Sequence, residues 1–310
     1  MPIPFSFELF PPRTPAVAAR MPDVARRLGA LGPEFISVTF GAGGSTRDAS
    51  LGVLEMVRDL GRARPLAHLT CVGSSFAEAS EVIAEFVDHG IVDFLALRGD
   101  PPKGMDEGDD FLGDLRSAAE LAQLIRVVRV QRTPAELEAF GRGGDRWRVR
   151  HPGDGLLAVA VYPNGHPQSR SMEQDYDTLL AKEAAGANLA ITQIFFEADD
   201  YLRFVDGARE RGVRMPILPG IMPITSVARL TRMAELASEP VPENWRRSLE
   251  ACRSDAARRE LGISHATAMS LDLLEGGAPG LHLYTHNRVD EPVELLKRVG
   301  AVDRLPELVA

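Results

Sequence analysis

Ile3-Pro-Phe-Ser-Phe-Glu-Leu-Phe-Pro-Pro-Arg-Thr14 is an apolar, aromatic run carrying one acid, Glu8, and closed by two prolines. Pro11 and Pro12 offer no amide hydrogen to a ladder, so the run reads as a short strand, buried on both faces, that ends just after a carboxylate. A buried acid is costly unless it is paired or neutral. Two readings of Glu8 follow. Arg13 is a partner for a structural ion pair at the strand end, or the carboxyl has a raised pKa and is a proton donor.

The pattern set by this strand repeats along the chain. Ala16–Leu31 has helical spacing and stops at Gly32-Pro33, and Phe35–Phe40 is the next strand, closed by Gly41-Ala-Gly-Gly44. A helix over Thr46–Leu60, with Ser45 or Thr46 as its cap, leads to a strand over Leu66–Val72 and a helix over Phe76–His89. Strands at Val92–Leu97, Leu156–Val161, Leu189–Ile194, Pro216–Leu218 and Leu281–Tyr284 follow, separated by helices at about 111–128, 172–185, 199–211 and 225–237. One further helical stretch, about 244–274, precedes the last strand, and a helix over Pro292–Val299 follows it.

Eight strand–helix alternations in 310 residues predict an α/β protein of the (β/α)8 TIM-barrel class. The whole chain, 1–310, is expected to be one barrel domain. A doubly wound open sheet is the rival, weakened because no Gly-x-Gly-x-x-Gly joins the first strand to the first helix. An arginine-rich insertion at about 130–155 breaks the spacing: counting from the helix end, Arg126, Arg129, Arg132, Arg142, Arg146, Arg148 and Arg150 stand against Glu136, Glu138 and Asp145. It reads as a solvated excursion with a short helix over Pro134–Phe140, or as a basic flap over a phosphate-bearing cofactor or a neighbouring subunit.

A net charge of −9 argues against nucleic acid or an anionic membrane surface as partner, and no apolar run reaches the length of a membrane span. Two cysteines, Cys71 and Cys252, are too few for a disulfide framework or an iron–sulfur cluster, and a cytoplasmic protein is expected. No His-Glu-x-x-His, Gly-x-Ser-x-Gly or Walker-type lysine loop is present, and Lys103 and Lys182 fall in a loop and a helix, so no metal and no Schiff base is indicated.

Barrel chemistry sits at the C-terminal ends of the strands. There the chain places Glu8, Thr39, His68, Thr70, Arg98, Asp100, Tyr162, His166, Thr192, Gln193, Tyr284, Asn287 and Arg288. Each alone has an ordinary structural explanation, and their convergence on one mouth points to a site. One acid, several hydrogen-bond donors, an arginine for phosphate and apolar walls suit a large planar ligand and the movement of a proton or hydride.

Phe7-Glu-Leu-Phe-Pro-Pro-Arg-Thr14, Ser37-Val-Thr-Phe40, Ala67-His-Leu-Thr-Cys71, Ala96-Leu-Arg-Gly-Asp-Pro101 and Tyr162-Pro-Asn-Gly-His-Pro167 together resemble the methylenetetrahydrofolate reductase family. Ala187-Asn-Leu-Ala-Ile-Thr-Gln-Ile-Phe-Phe196, Pro219-Gly-Ile-Met-Pro223 and Leu283-Tyr-Thr-His-Asn-Arg288 continue the resemblance in order. It implies a (β/α)8 flavoprotein that uses FAD, with NADH or NADPH as electron donor, to reduce 5,10-methylenetetrahydrofolate to 5-methyltetrahydrofolate in one-carbon metabolism and methionine supply. Glu8 is then the general acid, and Asp100 lies near the flavin and tunes it. FAD contacts fall on Thr39, His68, Arg98, Gly99, Asp100, Tyr162, His166, Asp175 and Lys182, with Leu112 and Ser169 added by alignment through variable segments. Glu8, Gln193, Tyr284 and Arg288 would hold the folate, with Gln193 also reaching the nicotinamide.

The sequence departs from that pattern in its long insertion and in Arg229, which stands where some relatives carry a glutamine at the folate site. It also stops after the barrel, without the extra domain through which some members sense S-adenosylmethionine, so no such inhibition is expected. The family often forms dimers or tetramers, and a homo-oligomer is expected on that basis. Another flavin barrel, such as a proline-dehydrogenase relative, is the rival enzyme. A flavin or folate carrier without activity is the rival from a different class.

Overall fold

The computed structural model describes residues 2–40, 47–101, 104–105, 110–132 and 155–302. The Gly41–Gly44 loop, the Ser45 or Thr46 cap, Lys103, the short helix at 134–140 and Arg142, Arg146, Arg148 and Arg150 lie outside those residues. The strands are β1 (Phe5–Leu9), β2 (Phe35–Val38), β3 (Arg64–Thr70), β4 (Asp93–Leu97), β5 (Leu157–Val161), β6 (Leu189–Thr192), β7 (Ile217–Leu218), β8 (Gly220–Ile221) and β9 (Leu281–Tyr284). All pair in parallel, in the order β7-β6-β5-β4-β3-β2-β1-β9-β8.

β7 and β8 are two halves of one barrel strand divided at Pro219, which has no amide hydrogen to donate to a ladder. The first half pairs with β6, the second with β9, and the Pro219 carbonyl still accepts from the His282 amide at 3.0 Å. Nine short strands thus make the expected eight-stranded barrel.

Around it run α1 (Pro15–Gly29), α2 (Arg47–Leu60), α3 (Phe76–Asp88), α4 (Ala118–Arg132), α5 (Met172–Ala184), α6 (Ala198–Arg211), α7 (Val227–Ala237), α8 (Glu243–Ala251), α9 (Asp255–Glu275) and α10 (Asp290–Arg298). Among the described residues, no helix is long and apolar enough to cross a membrane.

Two helices differ from expectation. The stretch 244–274 is broken into α8 and α9, because Ser254 takes extended backbone and accepts from the Ala257 amide at 3.1 Å, starting a new helix. α4 begins at Ala118 rather than near Phe111. Residues 111–114 instead lie antiparallel to the β3–α3 loop, with Gly113 N donating to Cys71 O at 3.2 Å and Asp114 N to Ser74 O at 3.1 Å. Phe111, Leu112 and Leu115 imitate a helical period, but Gly113 fits only this close approach: a Cβ there would fall 1.8 Å from the Ser74 carbonyl oxygen.

Side-chain alternation divides each strand between two environments. Phe7, Leu9, Ile36, Val38, Ala67, Phe94 and Val159 face outward and merge with Met21, Leu28, Leu54, Phe86 and Ile125 of the helices into one large core. Phe35, Leu66, Leu95, Ala158, Leu189, Ile191 and Leu218 fill the lumen. The lumen is lopsided: β4 to β7 line it with aliphatic groups, whereas Ser6, Glu8, Ser37, His68 and His282 from β1, β2, β3 and β9 are buried and polar.

Two substitutions test these packing statements by chemical denaturation. Gly113→Ala is expected to lose about 1–3 kcal/mol, the usual penalty of overpacking. Gly52→Ala in α2, where an added Cβ meets nothing within 4 Å, is expected to gain about 0.5–1 kcal/mol.

Candidate functional site

β1 carries Glu8 to the C-terminal mouth of the barrel, and alternation turns it, with Ser6, into the lumen. Arg13 is exposed and is not the partner that the structural reading of Glu8 requires. Two histidines stand close to the Glu8 carboxylate, His68 Nε2 at 3.6 Å and His282 Nε2 at 3.9 Å. Burial pushes the pKa of His68 down to about 4 and that of His282 to about 3, so both rings are neutral over the physiological range. Burial raises the Glu8 carboxyl above its ordinary value, and the coulombic effect of His68 offsets only part of that. The cluster is therefore an acid between two neutral imidazoles, not an ion pair.

Both Nε2 atoms are buried without a hydrogen-bond partner among the described residues. On its other side, His282 Nδ1 lies 2.8 Å from Ser6 Oγ, and its ring stacks on Phe35 with centroids 5.7 Å apart. A Ser6 hydroxyl that donates to Nδ1 leaves the ring proton on Nε2, facing Glu8. Neither His282 nor Ser6 stands out as a site residue in the sequence. The available signal was period two: His282 precedes Tyr284 as Ser6 precedes Glu8, and Ser6 pairs with His282 while Glu8 pairs with Tyr284.

The rim above β9 is held in shape by its own backbone. Thr285 Oγ1 donates to Glu8 O at 2.7 Å. Asn287, in the left-handed region at φ 58°, accepts from Phe10 N at 2.8 Å and donates to Phe10 O at 2.9 Å, continuing the ladder beyond the last strand. Tyr284 donates its hydroxyl to Thr192 O at 2.7 Å across the barrel. Gly220 makes that reach possible, since a Cβ there would lie 2.5 Å from both Thr192 O and Tyr284 Cε2. Gln193 Oε1 accepts from Ile194 N at 2.9 Å, which leaves its amide NH2 to donate to a ligand. Arg288 is exposed at the edge and meets Glu291 at 3.2 Å.

The opposite wall is built by β5 and α5. Lys182 reaches inward to donate to Ala160 O at 2.8 Å, and burial lowers its pKa to about 8, partly offset by Asp175. Asp175 in turn accepts from His166 N at 3.2 Å and Ser169 Oγ at 2.7 Å, fixing the loop after β5. Tyr162 and His166 pack edge to face at 4.7 Å in that loop.

Between the two walls stand the ends of β2 to β4. The Thr39 carbonyl is held by Ser50 Oγ at 2.9 Å, and the Arg98 guanidinium lies 5.5 Å over the Phe111 ring. Gly99, at φ 87°, turns the chain where a Cβ would strike Val72 at 2.5 Å and delivers the exposed Asp100 to the mouth.

One cleft of about 1500 Å³ joins these groups. Glu8, Thr39, His68, Arg98, Gly99, Asp100, Tyr162, His166, Ser169, Asp175, Lys182, Gln193, Tyr284 and Arg288 all line it. Leu112 does not: it pairs with Val72 and packs against the outer core. The cleft is wider than the usual small-molecule pocket of roughly 300–1,000 Å³, and it sets an enclosed carboxyl against cations, hydroxyls and amides.

A family model for methylenetetrahydrofolate reductase matches residues 2–300. A plant relative, methylenetetrahydrofolate reductase (NADH) 1 of Arabidopsis thaliana, is 32% identical over 309 residues, covering 96% of this chain and 48% of that protein. The chain thus spans about half the length of the plant relatives it matches. The 5,10-methylenetetrahydrofolate reductase of Pectobacterium carotovorum subsp. carotovorum is 32% identical over 297 residues, covering 95% of this chain and 89% of that protein. Among solved structures, an uncharacterised protein from Clostridium thermocellum, described as binding two copies of 5-methyl-5,6,7,8-tetrahydrofolic acid, superposes with a TM-score of 0.60 at 14% identity. That likeness covers 97% of this chain and 95% of the other, and it speaks for the barrel alone. Matched along almost its whole length, the chain belongs to the methylenetetrahydrofolate reductase family.

Proposed function

We propose that the chain reduces 5,10-methylenetetrahydrofolate to 5-methyltetrahydrofolate as a flavoprotein, with NADH or NADPH as electron donor, in the one-carbon metabolism that supplies methionine. The observation that carries this reading is Glu8, a buried carboxyl of raised pKa at the mouth of the cleft, facing a wall with Gln193, Tyr284 and Arg288. The family match supports it, and the name of the plant relative favours NADH.

The residues present fit FAD. The cleft has room for a dinucleotide together with a second planar ligand, and its β2–β5 side offers two cations, Arg98 and Lys182, with hydroxyl and imidazole groups between them. Thr39, His68, Arg98, Gly99, Asp100, Tyr162, His166, Ser169, Asp175 and Lys182 would hold the cofactor; Leu112, off the cleft wall, is left out of that set. FAD, when bound, supplies the redox chemistry by which a hydride passes from the nicotinamide to the folate.

The chain's own residues handle the proton and the positioning. The surrounding lumen disfavours the Glu8 carboxylate and so raises the carboxyl's hold on its proton. Transfer of that proton to a nitrogen of the five-membered ring opens the ring to an iminium, the form of the folate that accepts hydride. The neutral imidazoles of His68 and His282 stand beside the resulting carboxylate, and His282 Nε2–H can stabilise it. Gln193 and Tyr284 orient the folate, Arg288 grips its carboxylate end, and Asp100 favours the cationic folate electrostatically.

The deciding measurement is a visible spectrum of the protein incubated with FAD, followed without oxygen through addition of NADH and then of methylenetetrahydrofolate. A flavin band that bleaches with NADH and returns with the folate is expected. A protein that takes up no FAD, or whose reduced flavin ignores the folate, overturns the proposal. Glu8→Gln is expected to keep FAD and its reduction by NADH while slowing the folate half-reaction by about 10²–10⁴-fold, read by stopped-flow.

The same cluster predicts the acid stability of the fold. His68 and His282 have folded pKa values below their ordinary 6.5, so the stability present above pH 6.5 is lost as pH falls toward about 4 and about 3 respectively. Each contributes at most about 1.4 kcal/mol per pH unit. Glu8 has the opposite sign: its raised pKa adds stability below its ordinary 4.5, which is lost as pH rises through the folded value. Denaturation midpoints taken from pH 6.5 downward should therefore fall more steeply in Glu8→Gln than in the wild type.

A further inference from the structure

Thr285-His286-Asn287-Arg288 is a tight turn closed by Arg288 N, which donates to Thr285 O at 2.9 Å. Both of its central residues are left-handed, His286 at φ 49° and Asn287 at φ 58°. Elsewhere among the described residues positive φ falls on glycine, with Ser238 the exception. Glycine adopts that conformation without strain, and most side chains do not. Two side chains kept in a disfavoured backbone state, at the edge of the cleft, point to a task that glycine could not perform.

Both side chains converge on Phe10, two residues past Glu8. The His286 ring lies over that of Phe10, with centroids 5.0 Å apart. The Asn287 amide accepts from Phe10 N at 2.8 Å and donates to Phe10 O at 2.9 Å, so one side chain takes the place of a neighbouring strand. Asn287 N donates at 3.0 Å to Thr285 Oγ1, whose own proton goes to Glu8 O at 2.7 Å. One residue thus grips the backbone of β1 twice, at Phe10 directly and at Glu8 through Thr285.

The grip falls where the strand has little else to hold it. On the β2 side Thr39 N donates to Leu9 O at 3.0 Å, and beyond it Pro11 and Pro12 have no amide hydrogen with which to continue. Nor is the Glu8 carboxyl fixed at its own end. Among the described residues it makes no hydrogen bond, and the two histidines stand off at 3.6 and 3.9 Å. Its position is therefore set by the backbone that carries it.

We propose that Asn287 is a positioning residue for the folate half-reaction, fixing the end of β1 so that the Glu8 carboxyl meets the ring nitrogen it protonates. The role rests on the reductase reading of the cleft. An amide suits it, because holding both backbone groups of one residue takes a side chain that accepts and donates at once. Placement of a reacting group is exacting: a shift of about 1 Å costs on the order of 10²-fold in rate.

The test is a double-mutant cycle on the FAD-loaded enzyme, with each half-reaction followed by flavin absorbance in stopped flow. Asn287→Gly suits the left-handed turn and removes both bonds to Phe10. It should leave reduction by NADH at the wild-type rate and slow reoxidation by methylenetetrahydrofolate about ten- to a hundredfold. Asn287→Asp, which keeps the acceptor for Phe10 N, should fall between the two. In the Glu8→Gln background the same substitutions should add little to the loss already present, because no carboxyl proton remains to be placed. Equal slowing of both half-reactions, or the same loss with and without Glu8, would make Asn287 a general support of the fold and overturn the role. If the glycine variant does not fold, the aspartate variant decides by the same cycle. A wild-type flavin that the folate does not reoxidise removes the reductase reading, and this role with it.

Discussion

The parallel pairing of β1 with β9 is the contact on which the mouth of the barrel depends. Its register sets Ser6 against His282 and Glu8 against Tyr284, so one ladder delivers the acid, an imidazole neighbour and a phenol to one patch of the lumen. Thr285 and Asn287 bond the Glu8 and Phe10 carbonyls and carry that pairing past the last strand. A slip of one residue would turn Glu8 outward among the helices and Phe7 inward, which the burial of Phe7 and Leu9 in the outer core opposes. Hydrophobic patterning on one face of β1 therefore positions the chemistry on the other.

The lopsided lumen explains why that chemistry has the character it does. Aliphatic groups from β4 to β7 keep the interior poor in solvation, and the polar groups of β1, β2, β3 and β9 are left to solvate one another. Ser6 satisfies one nitrogen of His282, but among the described residues the Nε2 atoms of His68 and His282 have no hydrogen-bond partner beside Glu8. In such a setting every ionised form is disfavoured, which raises an acid and lowers a base. The wall of β5 and α5 follows the opposite plan, with Asp175 tying down its loop and a lysine anchored on a backbone carbonyl.

Much of this was legible in the sequence, because the information is local. Short apolar runs, most of them closed by Gly or Pro, mark seven of the eight barrel strands and the residues at their ends. The eighth, divided at Pro219, was seen only as its first half, since its continuation is defined by pairing with β9 rather than by composition. Glu8 stood out as an acid in an aromatic run, yet the choice between Arg13 and the lumen needed the third dimension. His282 was missed because a histidine between two leucines looks like core, and only the register reveals Ser6 and Glu8 as its neighbours. The segment 111–114 read as helix because its apolar spacing is ambiguous, whereas the fit of Gly113 against Ser74 is a tertiary fact.

The pairing of β1 with β9 also bears on how the chain folds. Ser6 and His282 are 276 residues apart in sequence, so their contact closes a very long loop and is costly to form early. During synthesis β1 emerges first and must wait for nearly the whole barrel before its second partner exists. Until then one of its edges is open, and Glu8 lacks the covering of His282 and Tyr284. The buried, polar patch around Glu8 is thus complete only at the closing step of assembly, and a barrel left unclosed at that seam would lack it as well as being prone to pair with the wrong strand.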